Sequence, residues 1–340
     1  MADSSSSGVF RSLTTASDEA DSSLRPRTFD EFVGQARAVA NLRTWIEAAR
    51  RRGGPLDHVL LSGPPGLGKT TLAHLVATAL ERTLRVTSGP ALERAGDLVG
   101  LLTSLQAGDV LFVDEIHRLP RVVEEYLYAA MEDLAVDVVI DQGPAARSVR
   151  LSVAPFTLVG ATTREGLLSH AFRSRFGVLE KLQPYPPEDI RTILLLSAGR
   201  LACTLPDDAA GVLAQRSRGV PRVANRLLRR MRDVAELAGT PAITRDVVER
   251  GLTMLGIDAL GLEEMDRRLL STLAGLGGGP AGLRALSVAV GEEEDTIELV
   301  YEPHLIRLGF LLRTPRGRQL TDAARRHLGV PAGAAGLFPA

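Results

Sequence analysis

Three short apolar runs organise the first half of the chain. They are Val59-Leu60-Leu61, Val110-Leu111-Phe112-Val113 and Phe156-Thr157-Leu158-Val159-Gly160-Ala161. Runs of this length, bounded by turn and polar residues, predict buried strands of a parallel sheet. Helical spacing fills the intervals. A helix is predicted from about Ala36 to Arg51, with Leu42, Trp45, Ile46 and Ala49 on one face. Another follows the first run, over Thr71–Leu80. Val136–Asp141 and Ser148–Val153 flank a Gly-Pro turn and predict a β-hairpin inserted before the third run. Its second strand alternates Val149, Leu151 and Val153, so one face is apolar. That face either packs on the sheet or meets a partner.

From Pro184 the pattern changes to short helices broken by Pro and Gly. They are predicted at Pro187–Arg200, Pro206–Gln215, Pro221–Leu237 and Thr244–Leu255, a helical lid. After a Gly-rich joint at Gly256–Gly261 come helices at Met265–Leu276, Leu283–Val290 and Asp295–Leu308. A strand, tight turn and strand over Phe310–Leu320 follow. Three helices and a hairpin make a winged helix, a relative of helix-turn-helix. The expected organisation is an N-terminal extension (1–23), an α/β domain (24–184), a lid (185–256), a winged-helix head (257–329) and a tail (330–340). Extension and tail have too little apolar surface to fold and are expected to be disordered.

Composition narrows the picture. With 340 residues, 45% of them hydrophobic, the chain can build two or three cores. A net charge of −1 excludes a global nucleic-acid signature, so any DNA contact must come from a local patch. Cys203 is the single cysteine, which excludes an intrachain disulfide and fits a reducing cytosol. No apolar stretch has membrane-span length and no signal peptide is evident, so a cytoplasmic location is expected.

The ends of the three runs carry the chemistry. The first leads into Gly63-Pro64-Pro65-Gly66-Leu67-Gly68-Lys69-Thr70, the G-x-x-x-x-G-K-T pattern of a phosphate-binding loop between strand and helix. Its glycines let backbone N–H groups curl around phosphate oxygens, and the helix N-terminus favours the same anion. Lys69 reaches β- and γ-phosphates, and the Thr70 hydroxyl can ligate Mg²⁺. The second run ends in Asp114-Glu115, where a doubly wound sheet binds ligands. Asp114 is placed to hold Mg²⁺ and Glu115 to polarise an attacking water. The third ends in Thr162-Thr163-Arg164, between the other two, where a polar side chain orients that water. Thr163 is the first choice and Thr162 the alternative. Arg173 and Arg175, between Phe172 and Phe176, either pair with surface carboxylates or, in a ring ATPase, one of them reaches a neighbour's γ-phosphate. Upstream, Leu24-Arg25-Pro26 is placed to line an adenine pocket. Arg222 opens its helix, a position that suits a cation only if it faces an anion. In the head, Arg313, Arg316 and Arg318 surround a Pro-Arg-Gly turn and suit phosphate or minor-groove contact.

With these residues placed, the chain resembles the RuvB family of Holliday-junction branch-migration ATPases from about Leu24 to Gly329. The phosphate loop, Asp114–Arg118, Glu125–Tyr128, Gly143–Ser148, Gly160–Arg164, Arg173–Gly177, Pro221–Arg230 and Arg313–Arg318 carry the resemblance. It implies a hexameric AAA+ motor, with ATP and Mg²⁺, that encircles duplex DNA and works with RuvA and RuvC. The 136–153 hairpin would be the RuvA dock. The family's nucleotide contacts fall on Leu24, Arg25, Gly66, Gly68, Lys69, Thr70, Thr71, Glu132, Asp133, Leu134, Tyr185 and Arg222. Arg175 matches the finger that acts on the neighbouring subunit's site. Two positions depart from the pattern. Leu134 stands where an aromatic is usual and brings neither ring nor hydroxyl. Glu294 stands where Arg is common and repels a phosphate. The alternatives are a clamp-loader or initiator-type switch and a non-catalytic winged-helix regulator. The first fires once per loading event; the second conflicts with intact Lys69, Asp114, Glu115 and Arg175.

Overall fold

The structure, a computed structural model, describes residues 23–139, 147–277 and 279–330. The expected extension, the hairpin turn with Gly143–Ala146, and the tail beyond Val330 lie outside the described residues. The chain divides into two compact units, with the break after Tyr185.

The first unit is built on a five-stranded sheet of order β2-β3-β6-β1-β7. The strands are β1 (Val59–Ser62), β2 (Leu84–Ser88), β3 (Val110–Asp114), β6 (Thr157–Thr162) and β7 (Val178–Lys181), all paired in parallel. The three apolar runs form the three inner strands, buried on both faces, which is why they lack alternation. Helices α1 (Ala36–Arg52), α2 (Lys69–Leu80), α3 (Ala95–Thr103) and α4 (Arg121–Asp133) flank them. Leu98, Leu102 and Leu127 from these helices join Leu111, Val113 and Leu158 of the sheet in one core. Trp45 departs from the predicted helix face. Ala38, Leu42, Ile46 and Ala49 form the buried stripe of α1, whereas Trp45, on the flank of that stripe, stays 47% exposed.

The inserted hairpin is β4 (Ala135–Val139) and β5 (Ser148–Ser152), antiparallel, with Val136 opposite Leu151 and Val138 opposite Val149. Its apolar face is graded. Val136 and Val153 at the base are buried in the core, Val138 and Leu151 pack partly against it, and Val149 is exposed. Leu134 lies in the left-handed region, and its carbonyl accepts the Val153 N–H at 2.7 Å, closing the base.

The second unit opens with four helices, α6 (Pro187–Arg200), α7 (Asp207–Arg216), α8 (Pro221–Leu237) and α9 (Arg245–Met254), numbered after the short α5 (His170–Arg173) of the first unit. It closes with α10 (Glu264–Gly275), α11 (Leu283–Val290), a helix α12 over 294–307 and the hairpin β8 (Leu311–Thr314) and β9 (Gly317–Leu320). A last helix, α13 (Asp322–Leu328), starts from a Thr321 side-chain cap. Leu269, Leu270, Leu286, Ile297, Leu305, Leu311 and Leu320 form the core of this winged helix.

A buried charge joins the four-helix part to the winged helix. Arg218, in the left-handed region, donates to Gly261 O at 2.9 Å and to Asp266 Oδ2 at 2.6 Å. Its carbonyl accepts from Arg307 of α12 at 2.5 Å, and Arg307 also bonds His304 Nδ1. Asp266 is fully buried and its carboxyl is pushed up by desolvation, a shift that Arg218 opposes. Removing one partner of such a pair is far more damaging than the pair is stabilising.

Candidate functional site

The phosphate loop connects β1, second from one sheet edge, to α2. Gly68 caps α2 in a left-handed conformation, which turns the chain sharply enough to aim the first-turn N–H groups of the helix into the loop. Gly63 has φ +137, and a Cβ there would stand 2.6 Å from Leu182 O, so the loop has room for no side chain at its entry. Lys69 is buried, and its ammonium donates to Gly63 O at 2.7 Å and Pro64 O at 2.8 Å across the loop. Thr70 and Thr71 follow in the first turn.

The sheet order sets the chemistry beside this cradle. β6 lies between β1 and β3, so its end separates the phosphate loop from Asp114. Asp114 closes β3, half-buried, and its Oδ1 accepts the Glu115 N–H at 2.9 Å. Glu115 turns out of the strand at φ 46, and its Oε2 accepts from Arg118 Nη1 at 3.0 Å. At the end of β6 the last strand residue, Thr162, and the next residue, Thr163, differ. The Thr162 hydroxyl is 3.0 Å from His117 Nδ1 and accepts the Arg164 N–H at 3.0 Å. The Thr163 hydroxyl is buried with no hydrogen-bond partner. An orphaned buried hydroxyl is costly unless something at the site completes it.

Elsewhere in this unit, Leu24 is buried, Arg25 lies 3.5 Å from His74 Nε2, and the Tyr185 hydroxyl donates to Leu67 O at 3.2 Å, tying the chain after β7 to the loop. Gly66 sits inside the loop in the left-handed region. Arg175 is held within its own chain. Its Nη2 stands 2.5 Å from Glu132 Oε2 and bonds the Tyr128 hydroxyl, with the guanidinium 4.7 Å over the Tyr128 ring. The Tyr128 hydrogen bond, with Glu132 adding to it, pushes the guanidinium pKa up. Asp133 lies 3.8 Å from Arg150 of the hairpin. Arg222, second residue of α8, is exposed and belongs to the other unit. The sequence singles out Asp114, Glu115 and Thr163. It does not show Tyr128, His117 or Arg118, whose roles depend on contacts.

The wing differs from a plain row of outward arginines. Arg316 at the turn is exposed, with no carboxylate partner among the described residues. Arg313 and Arg318 instead bond the buried carboxylate of Glu302, Arg313 Nε at 2.5 Å and Arg318 Nε at 2.7 Å. Arg318 is only 15% exposed. Glu294 is exposed at the start of α12, where a carboxylate suits the helix N-terminus.

The loop on β1, the carboxylates closing β3 and the polar end of β6 between them define a P-loop ATPase of the AAA+ class, with a helical lid and a winged helix following. Three family models match in succession. They are the Holliday junction DNA helicase RuvB P-loop domain over residues 24–182, the RuvB AAA lid domain over 185–258 and the RuvB C-terminal winged helix domain over 259–329. Among curated relatives, a Holliday junction branch migration complex subunit RuvB of Methanoregula boonei is 55% identical over 313 residues, 92% of this chain and 93% of that protein. One of Mycolicibacterium gilvum is 54% identical over 332 residues, 97% of this chain and 93% of its own length. The solved Thermotoga maritima RuvB Holliday junction branch migration motor is 48% identical, with a TM-score of 0.84, covering 91% of this chain and 99% of that one. The chain belongs to the RuvB family.

Proposed function

We propose that this chain is the ATP-hydrolysing subunit of a homohexameric ring motor that translocates duplex DNA. It would thereby drive branch migration of Holliday junctions in recombination and repair. The observation that carries the reading is the convergence of Lys69, Asp114–Glu115 and the unpartnered Thr163 hydroxyl at the C-terminal ends of the three inner strands, in a chain that also carries a winged helix with an exposed arginine at its turn. RuvA would dock on the 136–153 hairpin, where Val149 of β5 is exposed while the base is core. RuvC would act on the same junction.

In this reading Gly66, Gly68, Thr70 and Thr71 hold the ATP phosphates through backbone and hydroxyl groups, and Lys69 offsets charge between them. Leu24, Arg25 and Tyr185 bound the base and ribose. Mg²⁺ would be held by Thr70 and Asp114 and would neutralise developing phosphate charge. The oxygen donors fit a hard cation. Glu115 takes the proton of the attacking water, and Thr163 fixes that water's position. Arg175, with Glu132, Asp133 and Leu134 on the adjoining helix end, faces the next subunit's nucleotide. The setting is the cytoplasm; no helix among the described residues is long and apolar enough to cross a membrane.

Sustained ATP turnover on closed-circular duplex, many cycles per bound ring, is expected. One burst per DNA-binding event would instead make the chain a loading switch.

A further inference from the structure

Two arginines face each other across the wing. Arg313 of β8 and Arg318 of β9 are register partners, and like charges directly opposite one another destabilise an antiparallel pair. Two carboxylates of α12 offset that repulsion. Glu302, fully buried, takes one guanidinium on each oxygen, at 2.5 and 2.7 Å. Glu298 stands 3.4 Å from Arg313 Nη1 and 3.4 Å from Arg318 Nη2.

The helix is shaped to present both acids. Pro303 has no N–H to give to the carbonyl four residues back, and its ring would crowd that carbonyl. The chain takes a π turn over Ile297–Tyr301 just before it, closed by the Glu302 N–H on Ile297 O. Single π turns gather at functional sites. The hairpin itself cannot retreat. Arg318 N and O bond Ala281 O and N at 2.7 and 2.8 Å, and a Cβ on Gly317 would lie 2.2 Å from Ala281 O. Any new partner must therefore be accommodated by re-pairing side chains.

The four charges cancel, but they are not equally held. Glu302 is fully buried and Arg318 keeps 15% of its side chain exposed, whereas Arg313 is 44% exposed and Glu298 30%. The Glu298 carboxylate contacts, at 3.4 Å, are longer than the Nε bonds to Glu302, and ion pairs open to water are weak. A phosphodiester oxygen offers a guanidinium the same charge-assisted, forked hydrogen bonding as a carboxylate.

We propose that Glu298 is a built-in competitor for DNA phosphate on the wing. A backbone phosphate displaces Glu298 from the outer N–H groups of Arg313 and Arg318 while Glu302 keeps both guanidiniums anchored. This rests on the reading that the wing grips duplex DNA. It gives a motor that steps along DNA a resident anion to take the arginines back when a phosphate is released.

The test compares full-length wild type with Glu298→Gln, by fluorescence anisotropy on two duplexes of unrelated sequence, between about 50 and 200 mM salt. The variant should bind both duplexes about two- to fivefold tighter, the range of a freed surface ion pair. Its salt dependence should steepen by up to about one unit of log–log slope. ATPase measured without DNA should be unchanged. In an Arg313→Ala background the gain should shrink, because one of the two released arginines is gone. Unchanged or weaker binding by Glu298→Gln overturns the inference, as does an undiminished gain without Arg313. Wild type that fails to bind duplex at all overturns the DNA-grip reading and this inference with it. Normal wild-type binding with no Glu298 effect overturns this inference alone.

Discussion

Arg175 Nη2 lies 2.5 Å from Glu132 Oε2, so the arginine proposed to act on a neighbouring subunit is held by a carboxylate of its own. Its ring partner Tyr128 completes the clamp. An arginine held this way keeps its aim without ordering at the moment of reaction. Arg175→Ala should still bind ATP, since Lys69 and Thr70 are intact, but lose roughly 10³- to 10⁵-fold in hydrolysis. Glu132→Gln should lose far less. Mixing Arg175→Ala with Lys69→Ala subunits should restore part of the ATPase, because some interfaces then hold a complete site. With subunit exchange demonstrated, no recovery would place Arg175 in its own subunit's site.

Glu115 follows the metal-side carboxylate and is paired with Arg118 at 3.0 Å. It contributes nothing to the phosphate cradle. Glu115→Gln should bind ATP near normally and slow single-turnover hydrolysis by about two orders of magnitude or more. Turnover close to wild type would assign the base elsewhere.

Much of this site was legible in the sequence because its residues sit at the ends of uninterrupted apolar runs. The edges of the sheet were not. β2 has no buried residue, and its central Val86 is exposed. β7 buries Val178 and Glu180 while exposing Leu179, the reverse of the expected polarity, because Asn41 donates to Glu180 at 2.7 Å. The pairings that neutralise Arg313 and Arg318 were equally hidden. They depend on Glu302, which joins the wing only once α12 has packed beneath it.

His304 links pH to the integrity of the second unit. Burial, with Arg218 and Arg307 nearby, lowers its pKa to about 4, while the Leu260 carbonyl and Asp258 oppose the shift. The neutral ring is the folded form, bonded to Arg307 and Leu260 O. Its contribution is therefore complete above about pH 6.5 and is lost as pH falls towards 4, by roughly 3 kcal/mol in all. Thermal melting of the full chain should show a drop across this window that His304→Gln flattens. An equal drop in the variant would assign the acid sensitivity to other groups.

The graded hairpin separates docking from folding. Val149→Asp, at the exposed end, should abolish RuvA binding in a pull-down or titration and leave basal ATPase intact. Val136→Asp buries a charge in the ATPase core and should lower the melting temperature sharply. Loss of ATPase in Val149→Asp would show that this position, too, is structural.

ATP hydrolysis by this chain should move the crossover of a DNA junction. A synthetic four-way junction with homologous arms, incubated with the protein, ATP and Mg²⁺, with and without RuvA, reads this directly by gel. Conversion to duplex products that requires ATP, is strongly increased by RuvA and is absent with Lys69→Ala is the predicted result. ATP consumption without movement of the junction, in the presence of a RuvA that binds both protein and DNA, would contradict it.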